Sequence, residues 1–246
     1  MDVMTASRGE RFLAAFNEIE DRFRRVLGLD EHAEFAEMAR RYADKKHLPS
    51  VQRDALLAFA SLRNAISHGR FYDGRPIAEP VQAVVTEIEQ LRDQITAPPK
   101  ALAILGSRNP CTAGPQEPVS AVLEYVSRFD YSQVPVYDGA RYIGILTTNA
   151  IARWLAHQLT LNQGLAEGEP VDRVLAFAEP HERAKLVGRS ITAAEALAQL
   201  THGGEGRTPV TALIVTETGR ATEQPLRVIT NSDLPTLSSV LGIGIS

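Results

Sequence analysis

Val134-Pro-Val-Tyr-Asp-Gly-Ala-Arg-Tyr-Ile-Gly-Ile-Leu-Thr147 consists of two short apolar runs around Asp138-Gly139. Asp-Gly between apolar runs is the strongest short-range signal for a tight β-hairpin. A helical stretch precedes the hairpin over residues 119–129, and another follows over residues 148–158. The same order then returns. Thr192-Ala-Ala-Glu195 has capping-box spacing and opens a helix through Leu200. Ala212-Leu-Ile-Val-Thr-Glu-Thr-Gly219, Leu226-Arg-Val-Ile-Thr230 and Asn231-Ser-Asp-Leu234 follow it. A repeat of roughly 85 residues is longer than solenoid periods, so it predicts two tandem modules. Residues 161–170 read as their polar connection.

Upstream of Pro98-Pro99 the period is that of helices. Phe12, Phe16, Ile19, Phe23 and Val26 recur at three- and four-residue steps. A second helix is expected over residues 31–46, with Phe35, Met38 and Tyr42 facing inward. Ser50 reads as the N-cap of a third helix carrying Ala55, Phe59, Leu62 and Ile66, stopped by Gly69. Pro80 reads as the first-turn proline of a fourth, with Val81, Val84, Val85, Ile88, Leu91 and Ile95. The expected fold class is therefore mixed. An antiparallel helical bundle over residues 1–97 precedes two β-α-β-β-α modules, over 98–160 and 171–240.

Composition narrows the function classes. The 246 residues carry a net charge of −4, with 23% charged residues. Residues 1–97 hold 14 Lys and Arg against 16 Asp and Glu, and the remainder 12 against 14. Neither part has the basic excess of a strong duplex-DNA binder. A single cysteine, Cys111, excludes a disulfide framework and a cysteine-rich zinc site. No apolar run reaches the length of a membrane span, and no signal peptide is visible, so a cytoplasmic location without a membrane is expected. The scattered histidines lack metal-ligand spacing, and no metal is expected.

The helix, "VPVYDGARYIGILT", helix order resembles a CBS module, and "ALIVTETG…LRVITNSDL" resembles a second, the two forming a Bateman pair. The resemblance covers residues 100–237. In that family the last strand turns into a helix through Gly-h-h-Thr-x-x-Asp, where h is apolar. The Thr approaches a phosphate, and the Asp accepts bonds from ribose hydroxyls. Such a turn suits a nucleotide on general grounds, because a helix N-terminus presents free N–H groups and the positive end of a dipole. The second module keeps Thr230 and Asp233, with Arg227 in place of the glycine, read as a surface residue in preference to a further phosphate contact. The first keeps Gly144 and Thr147 but has Ala150 in place of the Asp. The resemblance thus implies one competent nucleotide site per chain around Asp233, and a degenerate one at Thr147. Its base-lining positions map to Lys185 and Val187 and to Thr211 and Ala212. The implied ligand is a regulatory adenine nucleotide: AMP, ADP or ATP. On the residues alone, Thr230 and Asp233 also suit a simple helix start.

Leu62-Arg63-Asn64-Ala65-Ile66-Ser67-His68-Gly69 resembles the Arg-x(4–6)-His motif of HEPN domains, helical bundles that include metal-independent ribonucleases. The resemblance implies catalytic roles for Arg63, Asn64 and His68 in cleavage of single-stranded RNA by its own 2′-hydroxyl. His68 would move the proton, and Arg63 would stabilise the charged transition state. On a helix Arg63 and His68 diverge by about 140°. The family resolves this by forming a homodimer with a shared cleft. Leu57, on the same ridge as Asn64 and His68, is expected to be exposed and to suit a partner surface. The alternative is that Arg63 pairs with an acidic group and His68 sits at the helix C-terminus. The two resemblances together imply a nucleotide-regulated endoribonuclease. The alternative is a non-catalytic adenine-nucleotide sensor whose helical domain binds a partner.

Overall fold

The computed structural model describes residues 6–68, 78–161, 168–203 and 208–242, with the side chain of His68 outside the description. The chain divides into two compact units, Met1–Pro99 and Lys100–Ser246.

The first unit is helical: α1 (Arg8–Leu27), α2 (Phe35–Lys46), α3 (Ser50–His68) and α4 (Gln82–Thr96). A capping box starts α1. The Ser7 hydroxyl accepts the Glu10 N–H, and the Glu10 carboxylate accepts the Ser7 N–H. Gly28, at φ 66°, ends the helix in the left-handed conformation that glycine adopts without strain. The α1 stripe Phe12, Ala15, Phe16, Ile19 and Phe23 is buried against Met38, Tyr42, Leu56, Phe59, Ile66, Val85, Ile88, Leu91 and Ile95. The Phe16 and Phe35 rings stack at 4.3 Å, and the Phe23 and Tyr42 rings lie 4.5 Å apart. Outside this core, Arg11 grips Glu89 of α4 with two hydrogen bonds of 2.9 and 2.7 Å.

Several boundaries differ from the sequence-based expectation. α2 starts at Phe35, because Asp30 accepts the His32 N–H and turns the chain there. Ser50 is the first helical residue rather than the cap. Pro80 precedes α4, whose N-cap is Val81. Leu57 is half-buried against the common core, and its neighbour Leu56 is fully buried. The inward side of α3 is wider than a single stripe because it packs on both α1 and α2. Leu57 therefore does not offer an exposed ridge.

The second unit is α/β. It contains α5 (Ala101–Leu105), α6 (Val119–Phe129), β1 (Gln133–Asp138), β2 (Arg141–Thr147), α7 (Thr148–Thr160) and α8 (Val171–Leu175). Then come β3 (Ala184–Gly188), α9 (Ala193–His202), β4 (Ala212–Thr216), β5 (Arg227–Thr230), a 3₁₀ turn (Asn231–Asp233) and α10 (Leu234–Val240). β1 and β2 form the expected hairpin, paired from Gln133↔Thr147 to Asp138↔Arg141 with a shift of register between Val136 and Tyr137. The turn is Gly139-Ala140, with Gly139 at φ 58°, as a two-residue hairpin turn with glycine at its first central position requires. β4 pairs in parallel with β3 and antiparallel with β5. The parallel pair is joined through α9, as parallel strands demand. In the first half the place of β3 is taken by Ala113 alone, which bridges Val136 in parallel.

Each half has its own core, and the two cores exchange segments. Val171 and Val174 of α8 are buried with Val119, Val134, Leu146 and Trp154 of the first half. Ala101 of α5 is buried with Ala196, Leu213, Ile229 and Leu237 of the second. Backbone bonds seal both crossings: Ala101 N–H to Ile191 O at 2.9 Å, and Val171 N–H to Glu117 O at 3.0 Å. The expected spans 98–160 and 171–240 are thus each missing a short helix of their own core and holding one of the other's.

Candidate functional site

The end of β5 builds the most developed site. Thr230 leaves the strand in extended conformation, and the 3₁₀ turn follows at once. The Asp233 carboxylate closes this turn, with Oδ2 accepting the Thr230 N–H at 2.9 Å. The Oδ1 atom accepts from the Arg227 guanidinium at 2.8 Å. The Thr230 and Ser232 hydroxyls are 2.7 Å apart. Each carboxylate oxygen retains acceptor capacity after these bonds.

Thr230, Ser232 and Asp233 open into a cavity of about 330 Å³, also lined by Arg108, Cys111, Asp130, Tyr131, Ser132 and Arg227. This volume suits a small organic ligand. Arg108 and Arg227 supply positive charge, Tyr131 an aromatic face, and Asp233 an acceptor for hydroxyls. The Arg108 guanidinium lies 6.0 Å from the Tyr131 ring centroid. Asp233 thus meets the residues that lead into β1, in the other half.

The residues expected to line a base do not come to this cavity. Lys185 donates to Gln199 Oε1 of α9 at 2.9 Å, and Val187 packs in the second core. Ala212 is fully buried in β4. The Thr211 hydroxyl donates to His181 O at 3.2 Å. The physical reason is the exchanged packing of the two halves, which turns the first half toward the β5 end. Thr147, buried at the end of β2, is the N-cap of α7 and accepts the Ala150 N–H at 3.0 Å.

Arg227 is not a loose surface group. Besides Asp233, its Nη1 donates to Leu105 O at 2.7 Å and Gly106 O at 3.3 Å, at the end of α5. Its counterpart Gly144 meets α8 instead. A Cβ there would lie 2.7 Å from a Leu175 methyl. The sequence signal for Arg227 was its departure from glycine, but the carbonyls it reaches lie over a hundred residues earlier.

In the helical unit Arg63 and Asn64 come together, with Arg63 Nη1 donating to Asn64 Oδ1 at 3.4 Å. Both line a cavity of about 420 Å³ with Phe16, Glu20, Glu34, Phe35, Ala36 and Ala60. The Arg63 guanidinium lies 6.0 Å from the Phe16 ring centroid. His68 ends α3, and the expectation for its side chain lies outside the described residues. Among the described residues, no group of three or more His, Cys, Asp and Glu is placed to hold a metal ion, and no helix is long and apolar enough to cross a membrane.

Residues 104–157 match the model of the CBS domain family. This identifies that segment as a CBS domain within a chain that is otherwise helical at its N-terminal end and α/β with small sheets beyond. Among solved structures, the complex of CBSX2 with AMP is 15% identical. That alignment covers 58% of this chain and 98% of that one, with a TM-score of 0.42. The CBS domain of a membrane protein from Sphaerobacter thermophilus is 16% identical over 56% and 87%, TM-score 0.40. A CBS-domain protein from Agrobacterium tumefaciens is 17% identical over 54% and 87%, TM-score 0.39. No curated protein matches the chain.

Proposed function

We propose that residues 100–246 form a paired CBS module that binds one adenine nucleotide beside Asp233, and that the chain is a cytoplasmic, homodimeric, non-catalytic nucleotide sensor. The observation that carries the reading is the cavity at the end of β5. There two carboxylates (Asp130 and Asp233), the hydroxyls of Ser132, Thr230 and Ser232, and two guanidinium groups converge. Asp233 takes the ribose hydroxyls on its remaining lone pairs, and Arg108 and the hydroxyls of Thr230 and Ser232 face the phosphates. The helical unit is the output, which contacts a partner. Coupling requires the nucleotide to bind two arrangements of the chain unequally.

Titration calorimetry with AMP, ADP and ATP tests the site. Asp233→Ala is expected to weaken binding by roughly ten- to a hundredfold, the worth of hydrogen bonds to a charged group. Unchanged affinity would sink the ribose role.

The endoribonuclease reading rests on Arg63, Asn64 and His68. We place it second, because Glu20 and Glu34 share the cavity of Arg63 and Asn64. With one guanidinium against them these two carboxylates repel a phosphodiester at short range, whereas the cavity at the end of β5 sets two guanidinium groups against two carboxylates. The decisive assay incubates the full chain with single-stranded RNA, with and without each nucleotide, beside His68→Ala. Cleavage that depends on His68 would promote the nuclease. No cleavage in any arm keeps the sensor.

A further inference from the structure

The two halves carry the same strand-to-helix turn with different fates. In the second half the turn opens on a cavity. In the first, Thr147 is only 3% exposed, and its hydroxyl donates to Glu182 Oε1 at 2.6 Å. The Glu182 side chain is itself 3% exposed. Its Oε2 accepts from the Arg153 guanidinium and from the Glu179 N–H, the latter at 2.8 Å. Arg153 belongs to α7, two turns into the helix that Thr147 caps, and is steadied by donating from Nε to Phe177 O at 2.8 Å. A hydroxyl, a guanidinium and a backbone N–H therefore converge on one carboxylate, which is the donor set of an anion site.

Strand register matches the two halves at one position, from which the place of this carboxylate follows by counting along the chain. Gln133 pairs with Thr147 in one half and Ala212 with Thr230 in the other, so Val136 and Val215 are equivalent. Their parallel partners are Ala113 and Val187. Counting back five residues from each gives Arg108 and Glu182. Arg108 lines the open cavity beside Asp233. Its equivalent is the glutamate that fills the turn at Thr147. The charge is reversed at one matched position, and the guanidinium that answers it comes from α7.

We infer that Glu182 is a built-in occupant of an anion site at Thr147, so that this half holds its own carboxylate where the other half is left open for a ligand. The site takes carboxylates and inorganic phosphate once Glu182 is removed. Its consequence for stoichiometry, one nucleotide per chain with Glu182 excluding a second anion, rests on the reading of the Asp233 cavity. The anion site itself does not.

The experiment uses the full chain and two probes, acetate and inorganic phosphate, against chloride at matched ionic strength. Glu182→Ala is expected to lower the Tm and to regain it saturably as either probe is added, whereas the parent chain, in which Glu182 fills the site, shows no such regain. Arg153→Ala in the Glu182→Ala background abolishes that response, and Asp233→Ala leaves it intact. Glu179→Gln added to Glu182→Ala removes the carboxylate 3.7 Å from Arg153, and is expected to tighten phosphate binding. A Glu182→Ala chain that folds in acetate but not in chloride is the same result in stronger form. Failure to fold in both, no saturable response, or a response that survives loss of Arg153 overturns the inference. If the anion response appears while the parent chain binds no nucleotide, the Asp233 reading fails and the occupied site stands.

Discussion

Arg227 holds the Asp233 carboxylate with one arm and the end of α5 with the other. A nucleoside ribose must share Asp233 Oδ1 with this guanidinium, which weakens the oxygen as an acceptor, while a phosphate chain gains from its charge. Arg227→Gly is therefore expected to act with opposite signs on two ligands, tightening adenosine and weakening ATP. The ratio of the two affinities should fall by about tenfold, one charged hydrogen bond's worth. Calorimetry with both ligands checks it, and a uniform change in both would show that Arg227 serves only the fold. Two tyrosines set an alkaline limit. Burial pushes the Tyr137 phenol up to about 12 from its ordinary 10.0, and raises Tyr142 as well. Above pH 10 the unfolded chain releases these protons while the folded chain retains them, so stability falls as pH rises through that window. Urea midpoints between pH 9 and 11 should decline, and Tyr137→Phe should flatten the decline. At these positions the sequence was only partly legible. Thr230 and Asp233 stood out through their spacing. Glu182 did not, because its partners Thr147 and Arg153 lie 35 and 29 residues away.

Helices with a strong period and a good start were legible as whole segments. α9 opens on a capping box in which the Thr192 hydroxyl accepts the Glu195 N–H and the Glu195 carboxylate accepts the Thr192 N–H. Thr192→Ala is expected to cost about 1 kcal/mol in denaturant unfolding. Thr201→Ala in the last turn, whose exposed hydroxyl back-bonds to Leu197 O and meets the adjacent His202 Nδ1 at 2.7 Å, should stay within about 0.5 kcal/mol. Equal costs would show that the cap contributes nothing. The elements that escaped the sequence did so for physical reasons. α5 and α8 are five residues each, shorter than two turns, so no period can emerge. β3 is half-buried at every position, so it lacks the in-out alternation that marks a strand. Its parallel pairing to β4 also leaves no turn signal between them. The cavity and the filled turn at Thr147 draw on residues outside the regular elements, Arg108 and Cys111 before α6 and Glu182 between α8 and β3, so the site was less legible than the fold.

The two units carry separate cores. That of the first is closed by residues between Phe12 and Ile95, and those of the second by residues from Ala101 onward. Fragments 1–99 and 100–246 are each expected to unfold cooperatively on their own. The second fragment should bind nucleotide within about threefold of the full chain, a difference below ~0.7 kcal/mol. A fragment 100–246 that does not fold would place part of its core in the helical unit. Cutting the second unit between its halves, in residues 162–167, should by contrast give two insoluble pieces, since each would lack a helix that fills its own core. Phe23→Ala, which empties the middle of the first core, should cost about 3–5 kcal/mol and leave nucleotide binding untouched.

The seating of α5 against Leu237 and Leu241 also sets an order of events during synthesis. The first helix of the second unit to leave the ribosome packs against the last. At about 5–20 residues per second, the helical unit can close while the rest is still being made. Ala101 and Leu102 must then wait roughly ten seconds for α10. Throughout that interval the nascent chain exposes an apolar segment just beyond a finished unit, a transient binding site for a chaperone that vanishes when α10 emerges.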